Sequence, residues 1–151
     1  MTQTPARLIN IFLFFIICLT NISYAASSDY RSPEQVEGAI ATSLQEAKIL
    51  FEKGVVFIDV RNPRLYAKKH IPGAFHLDLK TAFNEAAVTA IAKKDQAIVI
   101  YCSGVKCSRS YHASEKAVLW GFRKVHYFRG GIVEWRDAGY PMDSGSKQLT
   151  K

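Results

Sequence analysis

The sequence predicts a single α/β domain: a parallel sheet of roughly five strands with helices on both faces. Three observations carry this. Apolar runs of strand length, rich in β-branched residues, recur at 55–58, 98–101 and 125–128. They are continuous rather than alternating, as in parallel strands covered on both faces. Segments of helical period lie between them, and strands alternating with helices over 151 residues make one domain with a parallel sheet.

The N-terminal segment is read apart from that domain. Residues 1–7 are polar with one cation, Arg7, residues 8–22 are almost wholly apolar, and Ser23-Tyr24-Ala25-Ala26 places small residues around a cut after Ala25. This is the order of a secretory signal. The apolar stretch falls short of the about 20 residues that span a bilayer, which favours a cleaved signal over an anchor. Cys18 follows Ile16 and Ile17 rather than the small residue a lipidation site needs. The expected organisation is therefore a signal over 1–25, a loosely held N-terminal arm over 26–38, the folded domain over 39–143 and a polar tail over 144–151. The expected location is periplasmic or secreted, with no stable membrane anchor after cleavage. Cys102 and Cys107 are then the remaining cysteines, in a compartment that permits a disulfide.

Within the domain, residues 39–42 suit a short edge strand. Ser43 and Glu46 have the spacing of a capping box, opening a helix to about Glu52 that Gly54 closes. After the 55–58 strand, Asn62-Pro63 starts a short helix through Lys69. His70-Ile71-Pro72-Gly73-Ala74 is a tight connection into a strand over 75–77. A helix is expected over 81–92, then the strand from Ile98, a helix over 110–120 stopped by Gly121, the strand over 125–128, and a helix over 132–138 with Trp135 on its inner face.

The 20 Lys and Arg exceed the 13 Asp and Glu, giving a net charge of +7. The cations are scattered, with no basic run or basic helix, so a nucleic-acid groove is not indicated and small anions are the suited ligands. The stretch from Ile98 to Ser110 holds the chemistry. Cys102 ends the strand, and the loop Ser103-Gly104-Val105-Lys106-Cys107-Ser108-Arg109 leads to a helix N-terminus, where backbone N–H groups and the helix dipole favour an anion. With Lys106 and Arg109 beside it, Cys102 reads as a thiolate nucleophile; as a small buried hydrophobe it would be ordinary too.

Three stretches in order resemble the single-domain rhodaneses: Asp59-Val60-Arg61 followed by His70-Ile71-Pro72-Gly73-Ala74, the strand delivering Cys102, and Gly130-Gly131-Ile132 with Trp135 and Ala138-Gly139-Tyr140-Pro141. The resemblance implies a rhodanese-like fold and sulfur transfer. Cys102 would take sulfane sulfur from thiosulfate or a related small anionic donor, and the Cys102 persulfide would pass it to cyanide or to a thiol, free or on a protein. Residues 103–109 would bind the substrate. Asp59, Arg61 and His70 would support the site by pairing and by fixing the turn. No metal or organic cofactor is needed for this chemistry. The loop departs from the family's Cys-x-x-Gly-x-Arg-Ser and from the Cys-x5-Arg of phosphatases sharing the fold, since Gly104 stands two and Arg109 seven positions after Cys102. Two alternatives remain open: a dithiol redox or sulfur-relay protein in which Cys102 and Cys107 form a disulfide, and a non-catalytic binding domain.

Overall fold

The structure, a computed structural model, describes residues 29–145. Strands β1 (Ile40–Ala41), β2 (Val56–Asp59), β3 (Phe75–His76), β4 (Ala97–Tyr101) and β5 (Lys124–Phe128) form one sheet in the order β1-β5-β4-β2-β3, every pairing parallel. Helices α1 (Leu44–Glu52), α2 (Pro63–Lys68), α3 (Glu85–Ile91), α4 (Arg109–Leu119) and α5 (Gly131–Asp137) connect and cover it. The expected signal over 1–25 and the last six residues of the tail lie outside the described residues.

Two cores flank the sheet because successive strand residues point to opposite faces. Ile98, Ile100 and Cys102 pack with Val88 of α3 and Ala113 and Ala117 of α4. Val99 and Tyr101 pack on the other face with Ala47 of α1 and Ile132 and Trp135 of α5. The same alternation decides where Cys102 points: under the start of α4, with no exposed surface.

The capping box of Ser43 and Glu46 forms as expected, each side chain meeting the other residue's backbone N–H. Two expectations are corrected. The helix expected over 81–92 begins only at Glu85, because the N–H groups of Thr81, Ala82 and Phe83 all turn back to the Asp78 carbonyl and Asn84 supplies the cap. The described part of the N-terminal arm, residues 29–38, is not loosely held. Ser32 is buried, its N–H and hydroxyl donate to the Val105 carbonyl at 2.8 and 3.1 Å, and Arg129 grips the Ser32 carbonyl through two nitrogens at 3.0 and 2.8 Å. At the other terminus, Asp143 and His70 exchange backbone hydrogen bonds.

Candidate active site

The C-terminal ends of β2 and β4 lie side by side, with Asp59 paired to Tyr101 in register. The loop 102–108 leaves β4 and ends at α4. Its carbonyls are pinned by the residues that follow Gly130-Gly131: the Ile132 and Val133 N–H groups donate to Cys102 and Ser103 at 3.0 and 3.1 Å. That closeness is why position 131 is glycine. Its φ is +57°, and a Cβ there would lie 2.3 Å from the Cys102 oxygen.

Both cysteines of the loop are free thiols. The Cys102 S–H points at Cys107, 3.3 Å from its carbonyl oxygen and in hydrogen-bond contact with its sulfur. With that proton directed at Cys107, the Ser110 hydroxyl, 3.1 Å away, is the donor to the Cys102 sulfur. The hydrogen bond given to Cys107, together with burial, raises the Cys102 thiol well above its ordinary value. The mirror image holds at Cys107. The Cys102 S–H and the backbone N–H groups of Arg109 and Ser103 stabilise its thiolate against the opposing effect of burial, and its pKa falls to about 6. The hydrogen bond between them thus favours the proton on Cys102 and the thiolate on Cys107.

The expectation that Lys106 and Arg109 would lower the pKa of Cys102 is therefore corrected. Lys106 reaches outward to Asp29 at 2.6 Å, both exposed. Arg109 is committed to Asp78 at 2.7 Å and to the Val60 carbonyl at 3.1 Å, tying the start of α4 to the end of β2. Burial works against the Asp78 carboxylate, but the Lys80 N–H and Arg109 hold it below its usual value.

A cavity of about 700 Å³ opens on this loop. Ser103, Gly104, Val105, Lys106 and Cys107 line one side and Val133, Glu134 and Asp137 of α5 another. Of the expected substrate-binding residues, Ser108 and Arg109 are not in that lining, and neither is Cys102; Cys107 lies on the cavity side of the pair. Sequence reasoning missed Ser110, Ser32, Asp78 and the α5 wall. Ser110 follows Arg109 as the family's Arg-Ser does, which was the one available signal; the others are distant in sequence.

The supporting residues form a separate cluster. Asp59 accepts from the Arg61 N–H at 2.9 Å and from its guanidinium at 2.6–3.0 Å, and Arg61 Nη2 reaches the Lys69 carbonyl at 2.6 Å. His70 stacks on Tyr66 with ring centroids 3.9 Å apart, and its Nδ1 lies 2.9 Å from the Tyr66 carbonyl. Tyr101 accepts the Ile71 N–H, so the 70–74 turn is held from β4. None of these side chains lines the cavity. Among the described residues no cluster of His, Cys, Asp or Glu could hold a metal ion, and no helix is long and apolar enough to cross a membrane.

The model of the rhodanese-like domain matches residues 43–138. The chain belongs to that family. Its rhodanese domain is 33% identical over 100 residues to the thiosulfate sulfurtransferase GlpE of Pseudomonas fluorescens, covering 66% of this chain and 86% of that protein. It is 36% identical over 115 residues to a tRNA uridine(34) hydroxylase of Escherichia coli, covering 66% of this chain but 31% of the hydroxylase, so it spans about a third of that relative's length. The human single-domain sulfurtransferase TSTD1 superposes with a TM-score of 0.54 at 25% identity, over 64% of this chain and 94% of that one. Rhodanese-type chemistry at the family level accords with these relatives and with the thiol at the end of β4.

Proposed function

We propose that this chain is an exported sulfurtransferase, moving sulfane sulfur from thiosulfate or a related donor to a thiol or cyanide through a persulfide on Cys102. The observation that carries the reading is the thiol pair itself: two free cysteines in one loop at the C-terminal end of the central strand, the Cys102 sulfur 3.3 Å from the Cys107 carbonyl oxygen, and Cys107 lining an open cavity. The Cys102 proton passes to the Cys107 thiolate, making Cys102 the nucleophile. Its sulfur attacks the outer sulfur of the donor, the S–S bond breaks, and sulfite leaves with the bond pair. The Ser110 hydroxyl and N–H stay directed at the Cys102 sulfur. An acceptor thiolate or cyanide then takes the outer sulfur, and the Cys102 thiolate recovers its proton from Cys107.

The lining bears on the donor. Val105 and Val133 give it apolar walls, and Glu134 and Asp137 place carboxylates opposite Lys106. That set suits sulfur carried on a larger organic or peptide thiol better than it suits a free dianion. Retention of a contacted, ionisable thiol pair favours turnover over a binding role. Export rests on the pattern of residues 1–25, and N-terminal sequencing of the native protein should begin at Ala26.

The test is thiocyanate formation from thiosulfate or glutathione persulfide plus cyanide, by reduced protein. Cys102→Ser is expected to lower turnover by a factor on the order of 10³ with the fold intact, because a hydroxyl is neither acidic nor soft enough to capture sulfane sulfur. Undiminished turnover by the variant would overturn the mechanism.

A further inference from the structure

The capture mechanism needs one sulfur nucleophile, and the site holds two. Cys107 is the less buried thiol and lies on the cavity side of the pair, and its carbonyl oxygen is 3.3 Å from the Cys102 sulfur. The Ser103 and Arg109 N–H groups hydrogen-bond to its sulfur. Cys107 fills little of the core, and the loop around it is already fastened by Ser32 at Val105, by α5 at Cys102 and Ser103, and by Arg109 at Asp78.

We propose that Cys107 is a resolving thiol: once Cys102 carries sulfane sulfur, Cys107 expels it as hydrosulfide and closes a Cys102–Cys107 disulfide that a dithiol reductant reopens. The proposal rests on the capture step above and adds a second fate for the captured sulfur. After capture, Cys107 carries the proton and Cys102 ends in a persulfide anion. Cys107 Sγ attacks Cys102 Sγ and its proton moves to the outer sulfur. The bond between Cys102 Sγ and the outer sulfur breaks, and hydrosulfide leaves with the bond pair. The sulfane sulfur gains two electrons and the two thiols lose them. A dithiol reductant then opens the disulfide by exchange, leaving two thiols and a cyclic disulfide of its own.

Proximity favours this route, since Cys107 attacks from within the site whereas an external acceptor must first bind. The cavity gives the reductant its access, because Cys107 is the sulfur that lines it. In an oxidising compartment the product of resolution persists until reduced, so sulfide output follows the supply of reductant.

The experiment uses the reduced protein with thiosulfate or glutathione persulfide as donor and neither cyanide nor added thiol. Sulfite (or glutathione), hydrosulfide and the bonding of each cysteine are followed, the last by blocking thiols and peptide mass mapping. The wild-type chain should release one hydrosulfide per captured sulfur, end as the Cys102–Cys107 disulfide, and resume release on adding dithiothreitol. In Cys107→Ser, and in Cys107→Ala as a second variant, hydrosulfide per captured sulfur should fall by at least about tenfold and a persulfide should accumulate on Cys102. This ratio is independent of how far either substitution slows capture. A wild-type chain that holds a stable Cys102 persulfide beside a free Cys107 overturns the proposal while leaving sulfur transfer standing. A persulfide on Cys107 in Cys102→Ser reverses the roles and overturns the assignment as well. No capture from either donor by the wild-type chain removes the sulfur-transfer reading itself, and the proposal with it.

Discussion

The ends of β2 and β4 are neighbours in the sheet, and each carries a family motif built on buried ionisable groups. They spend those groups differently. At the end of β2, Asp59 and Arg61 face each other through four hydrogen bonds, and the remaining guanidinium nitrogen contact goes to the Lys69 carbonyl. Their charges are spent on each other, and the pair lies away from the cavity. At the end of β4, the hydrogen bond between two free thiols raises the pKa of Cys102 and lowers that of Cys107, and Cys107 meets the cavity. A motif whose polar groups consume one another holds the scaffold; a motif left with a movable proton and an open face can do chemistry.

The largest effect expected on the β2 side is on stability. Arg61→Ala leaves the Asp59 carboxylate buried without its guanidinium partner, and breaking a buried pair from one side costs about 3–5 kcal/mol. Urea unfolding should show that loss, while kcat/KM of the fraction still folded should stay near the wild-type value. Cys102→Ser should show the opposite pattern, losing turnover without losing stability. If Arg61→Ala abolished transfer in a fully folded sample, the division between the two strand ends would be broken.

A smaller effect separates fastening from substrate attraction at Arg109. The sequence suggested attraction of an anionic donor, whereas the guanidinium is engaged by Asp78 and the Val60 carbonyl. Arg109→Ala should therefore loosen the start of α4 and lower kcat/KM for thiosulfate and for glutathione persulfide by the same factor, about five- to tenfold, as expected for a partly exposed charge-assisted contact. A loss confined to thiosulfate would restore the anion-binding role.

These residues also mark how far the sequence could be read. The sheet was legible because the apolar runs, the Ser43 capping box and the closing glycines are local signals, each acting within a few residues. The helix over 81–92 was overextended because alanine-rich composition conceals the turn in which Asp78 captures three successive N–H groups. Cys102 was legible as a strand-end thiol in a family register. Its protonation was not, since sequence adjacency placed Lys106 and Arg109 beside it while their partners, Asp29 and Asp78, are distant in the chain and draw both cations away. The state of the thiol pair depends on which atoms face which, and spacing alone does not set that.

The smallest effect concerns the arm, which joins the comparison from outside the domain expected over 39–143. Ser32 holds the loop of β4 at Val105, and among the described residues no corresponding strap from the arm reaches the Asp59 side chain. Ser32→Ala removes the hydroxyl bond to Val105 and one of two acceptors of the Tyr127 hydroxyl, which keeps the Pro33 carbonyl at 3.1 Å. The Ser32 N–H still donates to Val105 at 2.8 Å, and Arg129 still grips the Ser32 carbonyl. The loss should therefore be about 1 kcal/mol, one net buried hydrogen bond. Because the hydroxyl lost by the strap ties the thiol loop and Tyr127 but makes no bond at the end of β2, that loss should surface as mobility in the loop, read as faster amide exchange over 103–107 and a several-fold lower kcat/KM. The amides around Asp59 and Arg61 should exchange as in the wild type. Equal acceleration at both strand ends would mean that Ser32 supports the whole sheet, and the loop of β4 would then have no strap of its own.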